Sequence, residues 1–561
     1  MVGLSAGIAA VTLKLFAHFL RNYFVEGYLN IQSFPYSYVF LPVIGFVLTA
    51  FIIQKFYKGK LKKGIAYILH AIAKKSSLLP FHHMWAHIIT SGITVGFGGS
   101  VGMESPIVNT GSAIGSNFAR RYKLTYKERT LMLASGVAGG VAGAFNAPIA
   151  GVLFALEVLL VEISLSAFIP LLIASASGAL ISNILLNEHI LLNFKNIQSF
   201  NYKNVPFYIL LALLSAFISL YYVNTFNKVT ERFSKIPSVT KRIAIGSVLF
   251  ILLLLVFPSF FGEGYESIKH LSEFKFELDF LGTLLKPLMG NKWAILFILV
   301  LTLLLKSFAA SITVGVGGNG GNFAPSLFVG AHLGFAFSYL LHLLGFESVP
   351  MVNFTLVSMA GVLCGVFHSP LTAIFLIAEI TGGYELMIPL MIVSSISYVV
   401  VKYFHPDSEN VVELRKQGTV VSEHKDISTL SKIELKPLIE TDFIIVKPEE
   451  TLGQIVEKVK QSPRSLFPVV NKDEKLIGII TLSSIKTEMF NKDLYTKLIA
   501  KELMVKPEFV IDEKDDIFSV MKKFDESGRW NLPVLEKGSY IGFLSKSGIL
   551  AAYREHVLSS I

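Results

Sequence analysis

Charge is scarce in this chain. Only 16% of its 561 residues are charged and 52% are hydrophobic, whereas soluble globular chains usually carry about 25% charged residues. Long apolar stretches fill the sequence from Met1 to about Phe404, and most of the charge follows Phe404. The composition therefore excludes a wholly soluble protein. It predicts a part that crosses a lipid bilayer several times, followed by a polar part.

Cysteine is nearly absent, since Cys364 is the only one. A disulfide and a cysteine metal site are thereby excluded. The sequence also lacks a nucleophile–base set, a metal-ligand cluster and a phosphate-binding loop with credible spacing, and we interpret His82 and His83 as residues of the membrane interface. We therefore expect no enzymatic activity, no metal and no other cofactor.

The net charge of +10 does not indicate a nucleic-acid partner. Much of the positive charge lies in short hydrophilic segments between apolar ones, at residues 58–63, 120–123 and 241–242. Loops on the cytoplasmic side of a membrane have this character under the positive-inside rule. The expected surroundings are a lipid bilayer and small ions.

An internal repeat is the strongest signal of organisation. Residues 93–106, ITVGFGGSVGMESP, match residues 312–325, ITVGVGGNGGNFAP, and residues 138–148, AGGVAGAFNAP, match residues 360–370, AGVLCGVFHSP. The second match is followed in each half by an apolar helix that carries Glu157 or Glu379. Two related halves in a membrane chain predict a pseudo-two-fold axis, with the transport site between the halves.

The apolar segments differ in their continuity. Those at 130–159 and 352–380 are long enough to cross a bilayer, whereas 91–117 and 312–345 are rich in glycine and are broken by glycine and proline. Irregular backbone at membrane depth survives only where protein buries it or where it lines a polar cavity. The two glycine-rich segments are therefore the predicted walls of a transport path.

Each glycine-rich segment ends in a predicted helix start, at Pro106 or Pro325. Proline suits the first turn of a helix, and glycines let the preceding backbone turn its N–H groups towards one place. A helix N-terminus offers unpaired N–H donors and a partial positive charge, so it attracts anions. Two such ends facing one another could hold an anion without a fixed full charge that would prevent its release.

Glu104 is the unusual residue of the first segment, because a carboxylate within an apolar, glycine-rich segment is costly in a membrane. An ionised carboxylate can occupy the place of a permeating anion and leave it when protonated. The alternative is a carboxylate that only caps the helix. The repeat favours the gate.

After Phe404 the pattern changes to short strands alternating with amphipathic helices. Hairpins are predicted at 466–480 and again at 531–544, and the repeated order indicates an α/β tandem. The predicted domains are a transmembrane anion-transport domain over 1–415, with halves at about 1–225 and 235–405, a linker over 416–435, and two modules over 436–495 and 496–561.

These motifs resemble those of the CLC family of chloride channels and proton-coupled chloride transporters. Gly102-Met-Glu-Ser-Pro106 is similar to the family's Gly-Lys/Arg-Glu-Gly-Pro, and Gly321-Asn-Phe-Ala-Pro325 matches Gly-x-Phe-x-Pro. The segment 144–151 also resembles the family. The resemblance covers about residues 3–415, and the tail resembles a pair of CBS domains.

The resemblance implies an all-α membrane fold of two inverted halves with an α/β tandem behind it, and a homodimer with one pore per subunit. It implies a multi-pass protein of a prokaryotic cell membrane with cytoplasmic CBS domains. Glu104 would be the gate of a voltage- or pH-dependent chloride path. The implied anion-binding backbone comprises Gly102, Gly321, Asn322, Phe323 and Ala324.

Three positions depart from the family. Val158 stands where proton-coupled members usually carry a relay glutamate. The family's anion-binding serine falls on Lys63, and its pore tyrosine on Asn410. Lys63 could attract anions at the inner mouth of the pore, or it could be a loop lysine at the cytoplasmic face.

The CBS pattern for adenine nucleotides is incomplete as well. In such domains an acidic residue ends the pattern and holds the ribose hydroxyls. The first module has Thr481 followed by Ser484 at that last position, and the second has Ser545 followed by Gly548. We therefore expect no tight nucleotide binding and a structural, dimerising role for the pair.

The sequence is compatible with three functions. Val158 favours a passive channel gated by Glu104, whereas a water chain in its place would permit a proton–chloride antiporter. A CBS-regulated cation transporter would need acidic residues along the membrane spans, and the sequence has few.

Overall fold

The computed structural model describes residues 1–24, 37–59, 61–159, 165–186, 192, 194, 197–275, 285–416 and 433–559. The chain divides into two compact units, Met1–Thr419 and Val420–Ile561. Apart from its ends, the predicted linker 416–435 lies outside the described residues.

The first unit is built from α-helices. Their bounds are α1 Val2–Arg21, α2 Leu41–Tyr57, α3 Ile65–Lys74, α4 His83–Gly96, α5 Glu104–Arg121, α6 Tyr126–Phe145, α7 Pro148–Phe154, α8 Leu165–Leu186, α9 Val205–Ser234, α10 Val239–Val256, α11 Tyr265–Ser272, α12 Lys292–Gly315, α13 Phe323–Leu343, α14 Met351–Phe367, α15 Pro370–Thr381, α16 Met387–Phe404 and α17 Glu409–Lys416.

Within the described residues, eight helical segments are long and apolar enough to cross a membrane. They are Val2–Phe24, Ser37–Tyr57, Ala167–Leu186, Tyr202–Ser234, Val239–Val256, Lys292–Gly315, Phe323–Leu343 and Tyr384–Arg415. The protein is thus a multi-pass membrane protein, as the composition predicts.

The backbone repeats as the sequence does. Gly98 and Gly317, at matching positions, both have positive φ, 93° and 111°. The αL residue that ends α6, Asn146 at φ 54°, matches His368 at φ 57°, which ends α14. The two halves therefore share one local geometry through both matched segments.

The apolar segments 130–159 and 352–380, although long enough to cross a bilayer, are not single helices. Each segment breaks in its middle, at the αL residues Asn146 and His368, and a short helix starts afresh at Pro148 or Pro370. The cause is the proline two residues after the break, because the residue before a proline avoids the helical region. Each apolar run therefore contains two helices.

Glycines set how closely the matched helices pack. A Cβ on Gly136 of α6 would lie 2.0 Å from the carbonyl oxygen of Gly111 in α5, and a Cβ on Gly111 would lie 2.3 Å from that of Gly136. In the other half, a Cβ on Gly334 of α13 would lie 2.2 Å from the carbonyl oxygen of Phe354 in α14. These close contacts between backbones explain why glycine stands at these positions in the two halves.

The carboxylates that follow the repeat cap helices of the opposite half. Glu157, in the π-helical turn Ala155–Leu159, accepts from the N–H groups of Leu371 and Thr372 at 2.9 and 2.8 Å. Glu379 of α15 accepts from the N–H groups of Ile149 and Ala150 at 3.0 and 2.8 Å. A carboxylate is favourable at a helix N-terminus, so this reciprocal pair joins the two halves.

The second unit contains β1 Ile439–Glu440, β2 Leu466–Val470, β3 Leu476–Thr481, β4 Ile511–Asp512, β5 Asn531–Glu536 and β6 Ser539–Ser545, with helices α18 Leu452–Gln461, α19 Ala500–Leu503, α20 Ile517–Ser527 and α21 Lys546–Ser559. β2 and β3 form one antiparallel pair, and the other sheet has the order β1-β6-β5-β4. Both predicted hairpins are therefore present.

The two modules form backbone hydrogen bonds with one another. β1 belongs to the first module yet pairs with β6 of the second. Ile479 of the first module and Val505 of the second exchange two backbone hydrogen bonds of 2.9 Å. The modules therefore complete one another's sheets.

We predict that Gly136→Ala destabilises the protein, because the new Cβ would overlap the Gly111 carbonyl. Overpacking of this kind costs about 1–3 kcal/mol, so the thermal transition in detergent should fall by several degrees. Gly290→Ala is the matched control, since a Cβ there meets nothing within 4 Å. An unchanged transition in Gly136→Ala would contradict the close packing of α5 on α6.

Candidate functional site

The two glycine-rich loops meet as an antiparallel pair. The N–H of Gly102 donates to the carbonyl of Gly321, and the N–H of Gly321 donates to that of Gly102, each at 2.9 Å. Farther from the pair, Ser100 N–H donates to Thr313 Oγ1 at 3.2 Å and Asn319 N–H donates to Thr94 Oγ1 at 3.1 Å. Because matched residues bond reciprocally, a pseudo-two-fold axis passes between Gly102 and Gly321.

Helices α5 and α13 begin immediately after this pair, at Glu104 and Phe323, with Met103 and Asn322 as their N-cap residues. The first N–H groups of a helix have no partner within it. Two sets of such donors, each with a partial positive charge, thus start from one point. The arrangement suits an anion.

Glu104 lies at that point. Its side chain is 6% exposed, and its Oε1 accepts from the hydroxyl of Tyr265 at 2.7 Å. Its Oε2 is buried with no hydrogen-bond partner in the described structure, and it lies over Gly102, where a Cβ would be only 1.9 Å away. The carboxyl group of Glu104 therefore occupies the space beside the paired loops.

Two cavities reach Glu104 from different directions, and Phe145 lines both with it. One has a volume of about 580 Å³ and includes Glu263 and Tyr265. The other has a volume of about 360 Å³ and includes Lys63. We call them the Glu263 cavity and the Lys63 cavity, and Glu104 separates them.

The predicted anion-binding residues lie in or beside the Lys63 cavity. Gly321, Asn322, Phe323, Lys63 and Asn410 line it. Ala324 is buried next to Phe323, and its Cβ would lie 3.0 Å from a Cβ on Gly102. The structure thus brings this set together around Glu104.

Lys63 is not an isolated loop lysine. Its Nζ donates to the carbonyls of Gly317 and Gly318, both at 2.9 Å. It is partly buried and lies in the cavity wall. Lys63 therefore stabilises the glycine loop of the second half through these two hydrogen bonds, and it also lines the cavity.

Val158 lies in the π-helical turn with the cap residue Glu157, and it is not among the described residues that line either cavity. The nearest acid in sequence, Glu157, already binds two N–H groups and the hydroxyl of Thr372 at 2.6 Å.

Sequence reasoning missed four polar residues around the site. Lys306 of α12 is fully buried, and its Nζ donates to Ser100 Oγ at 2.8 Å and lies 4.5 Å from the ring centroid of Phe328. A lysine within an apolar helix is itself a signal of function or of a buried contact. The other three are Glu263, Tyr265 and Glu409.

Glu263 and Tyr265 stand beside glycines in an apolar stretch, which was their only signal. Glu409 follows α16 and opens α17, and its Oε2 accepts from Asn322 Nδ2 at 3.3 Å. Each of the two helix N-caps is thus approached by an acid from outside the repeat, because Glu263 Oε1 accepts from Met103 N–H at 3.0 Å.

The second unit has a separate cavity of about 240 Å³ between its modules, lined by Thr481, Arg529 and Asn531 among others. Ser484 Oγ donates to the carbonyl of Thr481 at 2.8 Å, and Ser545 Oγ donates to Glu440 Oε1 at 2.7 Å. Hydroxyls of the nucleotide pattern are thus engaged within the protein.

We predict that adenosine triphosphate binds the purified full-length protein weakly or not at all. Hydrogen bonds to a charged group are worth about 1.5–3 kcal/mol each, and the ribose-binding acids are replaced by Ser484 and Gly548. Calorimetry on the wild type and on Ser484→Asp tests this, with tighter binding expected in the variant. Submicromolar affinity in the wild type would contradict the prediction.

Comparison with known proteins follows the same division of the chain. The family model described as voltage gated chloride channel matches residues 44–402, and the CBS domain model matches residues 435–491 and 500–555. An uncharacterised protein of Methanocaldococcus jannaschii is 28% identical over 405 residues, covering 72% of this chain and 92% of that protein.

A voltage-gated ClC-type chloride channel of Escherichia coli is 29% identical over 327 residues, covering 57% of this chain and 73% of that protein. Among solved structures, a slow cyanobacterial Cl⁻/H⁺ antiporter superposes with a TM-score of 0.63 at 21% identity, covering 74% of this chain and 96% of that one. A eukaryotic CLC transporter gives 0.63 at 16% identity over 98% and 96% of the two chains.

The repeat, the inverted helical halves around Glu104 and the match over residues 44–402 agree with one another. The chain belongs to the CLC family of voltage-gated chloride channels, and it carries a C-terminal pair of CBS domains.

Proposed function

We propose that this chain is a passive chloride channel in which Glu104 is the gate. Membership of the family supports chloride transport as such. The observation that carries the gate is the position of Glu104, which lies where the Glu263 and Lys63 cavities meet and where two helix N-termini converge.

In this proposal the ionised carboxylate of Glu104 blocks the path by occupying the place of an anion. Protonation removes its charge and its attraction to the helix N-termini, and the side chain leaves the path. Chloride then binds backbone N–H groups of the paired loops, at Gly102 and from Gly321 to Ala324. Partial charges hold it weakly enough for release.

Two further residues take part in the Lys63 cavity. Lys63 and Asn410 stand in place of the family's serine and tyrosine hydroxyls. Lys63 supplies positive potential, and its two carbonyl partners prevent it from binding chloride as a bare charge. We propose that these residues draw anions into the cavity rather than select between them.

The channel is favoured over an antiporter because Val158 cannot carry a proton and Glu157 is held as a helix cap. The antiporter remains the second candidate for two reasons. Glu409 lies in the Lys63 cavity within hydrogen-bond distance of Asn322. In addition, a solved structure with this fold is named a Cl⁻/H⁺ antiporter.

We further propose a homodimer with one pore per subunit, in a prokaryotic cell membrane, with cytoplasmic CBS modules that serve a structural, dimerising role. Apolar side chains beside the reciprocal caps support the dimer, since Ile149 and Leu371 are 39% and 46% exposed. Ile173 of α8 and Met391 of α16 are 63% and 54% exposed.

We predict that Glu104→Gln removes most of the pH dependence of chloride efflux from liposomes. Glutamine resembles the protonated acid and has no charge to return to the site. In the wild type, acid should increase the flux, because protonation of the blocking carboxylate opens the path. Each proton that the open path requires contributes up to about tenfold per pH unit.

Glu266→Gln is the matched control, because Glu266 lines the same cavity but its side chain is 62% exposed and paired with Arg21. It should keep the wild-type pH profile. If Glu104→Gln retains the full acid activation, the gate is not Glu104.

We also predict chloride flux without obligatory proton exchange. An ionisable relay lowers the cost of moving a proton through apolar protein, and Val158 offers none. The measurement is an imposed chloride gradient across sealed vesicles at zero potential, with internal pH recorded. Steady uphill proton movement that disappears in Glu104→Gln would establish the antiporter instead.

A further inference from the structure

The segment Gly262-Glu-Gly-Tyr265, which we call the Glu263 loop, contacts both Glu104 and the residue before it, Met103. Tyr265 donates its hydroxyl to Glu104 Oε1 at 2.7 Å, and Glu263 Oε1 accepts the N–H of Met103, the N-cap of α5, at 3.0 Å. Gly264 has φ +99°, a conformation that glycine adopts without strain. One short loop thus reaches both the carboxylate and the helix start.

The Glu263 loop is held rigidly from behind. Gly262 N–H donates to the carbonyl of Gly98 at 3.0 Å, and Lys306 Nζ approaches the Gly262 carbonyl at 3.5 Å. A Cβ on Gly264 would lie 2.5 Å from the Phe328 ring. Because the backbone is fixed on both sides, the position of Glu263 is set by the fold.

The carboxylate of Glu263 occupies a donor that an anion would need. Chloride that enters through the Glu263 cavity reaches the start of α5 first, and the Met103 N–H is among the donors there. While Glu263 is ionised it holds this N–H and repels an approaching anion. Glu104 is the next residue after Met103, and its Oε2 is buried with no hydrogen-bond partner among the described residues. Two carboxylates therefore lie at the N-terminus of α5.

We propose that Glu263 is a second acidic gate, which must be protonated or displaced before chloride passes between the Glu263 cavity and Glu104. The inference rests on the proposed role of Glu104. It adds a residue that acts in series with Glu104 at the entrance from this cavity.

Other charged or titratable groups line the same cavity or lie behind the Glu263 loop. Those from the elements packed around it are Lys14, His18 and Arg21 of α1, Tyr265, Glu266, Lys269 and His270 of α11, and, behind the loop, Lys306 of α12 and His332 of α13. The basic groups attract anions to the mouth, so the two acids are the barrier that remains.

Two carboxylates at one helix start, in a partly buried site, take up their protons in two separate steps. If both must be neutral for conduction, acid activation approaches about a hundredfold per pH unit on the alkaline side, where neither is protonated, and about tenfold once one proton is bound, whereas a single required proton gives about tenfold at most. The steepness of the alkaline side of the pH profile therefore distinguishes one gate from two.

The test is chloride efflux from liposomes against pH for the wild type, Glu263→Gln, Glu263→Ala and the control Glu266→Gln. We expect a steep two-proton profile in the wild type and in Glu266→Gln. Glu263→Gln should show a one-proton profile and a higher flux at neutral pH. Glu263→Gln combined with Glu104→Gln should show no pH dependence.

A structural role would give another pattern. Glutamine keeps an oxygen that accepts the Met103 N–H, and alanine does not. If Glu263 only positions α5, then Glu263→Gln retains the wild-type profile while Glu263→Ala loses flux or stability, and the proposal is overturned.

Different results refute the second gate and the gate at Glu104. If Glu104→Gln abolishes acid activation and Glu263→Gln leaves its steepness unchanged, only the second gate is refuted. If the wild type shows no chloride efflux, or if Glu104→Gln keeps its full pH dependence, the proposed function is refuted and the second gate with it.

Discussion

The reciprocal hydrogen bonds between Gly102 and Gly321 are the contact on which the site depends. They fix the starts of α5 and α13 against one another, and neither loop could approach as closely with a side chain. A Cβ on Gly102 would lie 1.9 Å from Glu104 Oε2, and one on Gly321 would lie 2.6 Å from the Cβ of Ser105. The crossed caps made by Glu157 and Glu379 repeat the same reciprocity farther along the chain. Two pairs of polar contacts thus hold the halves in register within an otherwise apolar protein, where such contacts are hard to replace.

Two lysines lie near the proposed path, and both donate hydrogen bonds to other groups of the protein. Lys63 binds the carbonyls of Gly317 and Gly318, and Lys306 binds Ser100 Oγ. Removing an unpaired ammonium from water is costly, and hydrogen bonds within the protein offset that cost. In the proposed mechanism, a set of helix N-termini with partial charges faces the anion, and such charges attract chloride without trapping it. The groups that change charge in this proposal are carboxylates, so negative charge would block the path and the backbone would supply the attraction.

Sequence alone was sufficient for the repeat and placed the helix starts at Pro106 and Pro325, two residues after the observed starts at Glu104 and Phe323. It did not locate the breaks within 130–159 and 352–380, which only Asn146 and His368, each ahead of a proline, mark. It could not find the Glu263 loop as part of the site, because that loop follows α10 and reaches Glu104 only through the tertiary fold. Lys63 shows the limit in another way. Its position was predicted by a weak match, but the two carbonyl partners that decide what its charge does come from the second half of the repeat.

The departures from symmetry matter as much as the symmetry. Glu104 and Phe323 are matched residues at the starts of matched helices, but Phe323 packs on Phe145 and Phe367 with ring centroids 5.4 and 5.3 Å apart. An aromatic ring cannot respond to protons, so the carboxylate at the start of α5 has no counterpart at the start of α13. At the preceding position the halves differ again, because the Met103 backbone N–H binds Glu263 while the Asn322 side chain binds Glu409. Duplication therefore supplies two converging helix starts with like polarity, and divergence at two adjacent positions places a carboxylate at one start and an aromatic ring at the other, which is the asymmetry that the proposed gate requires.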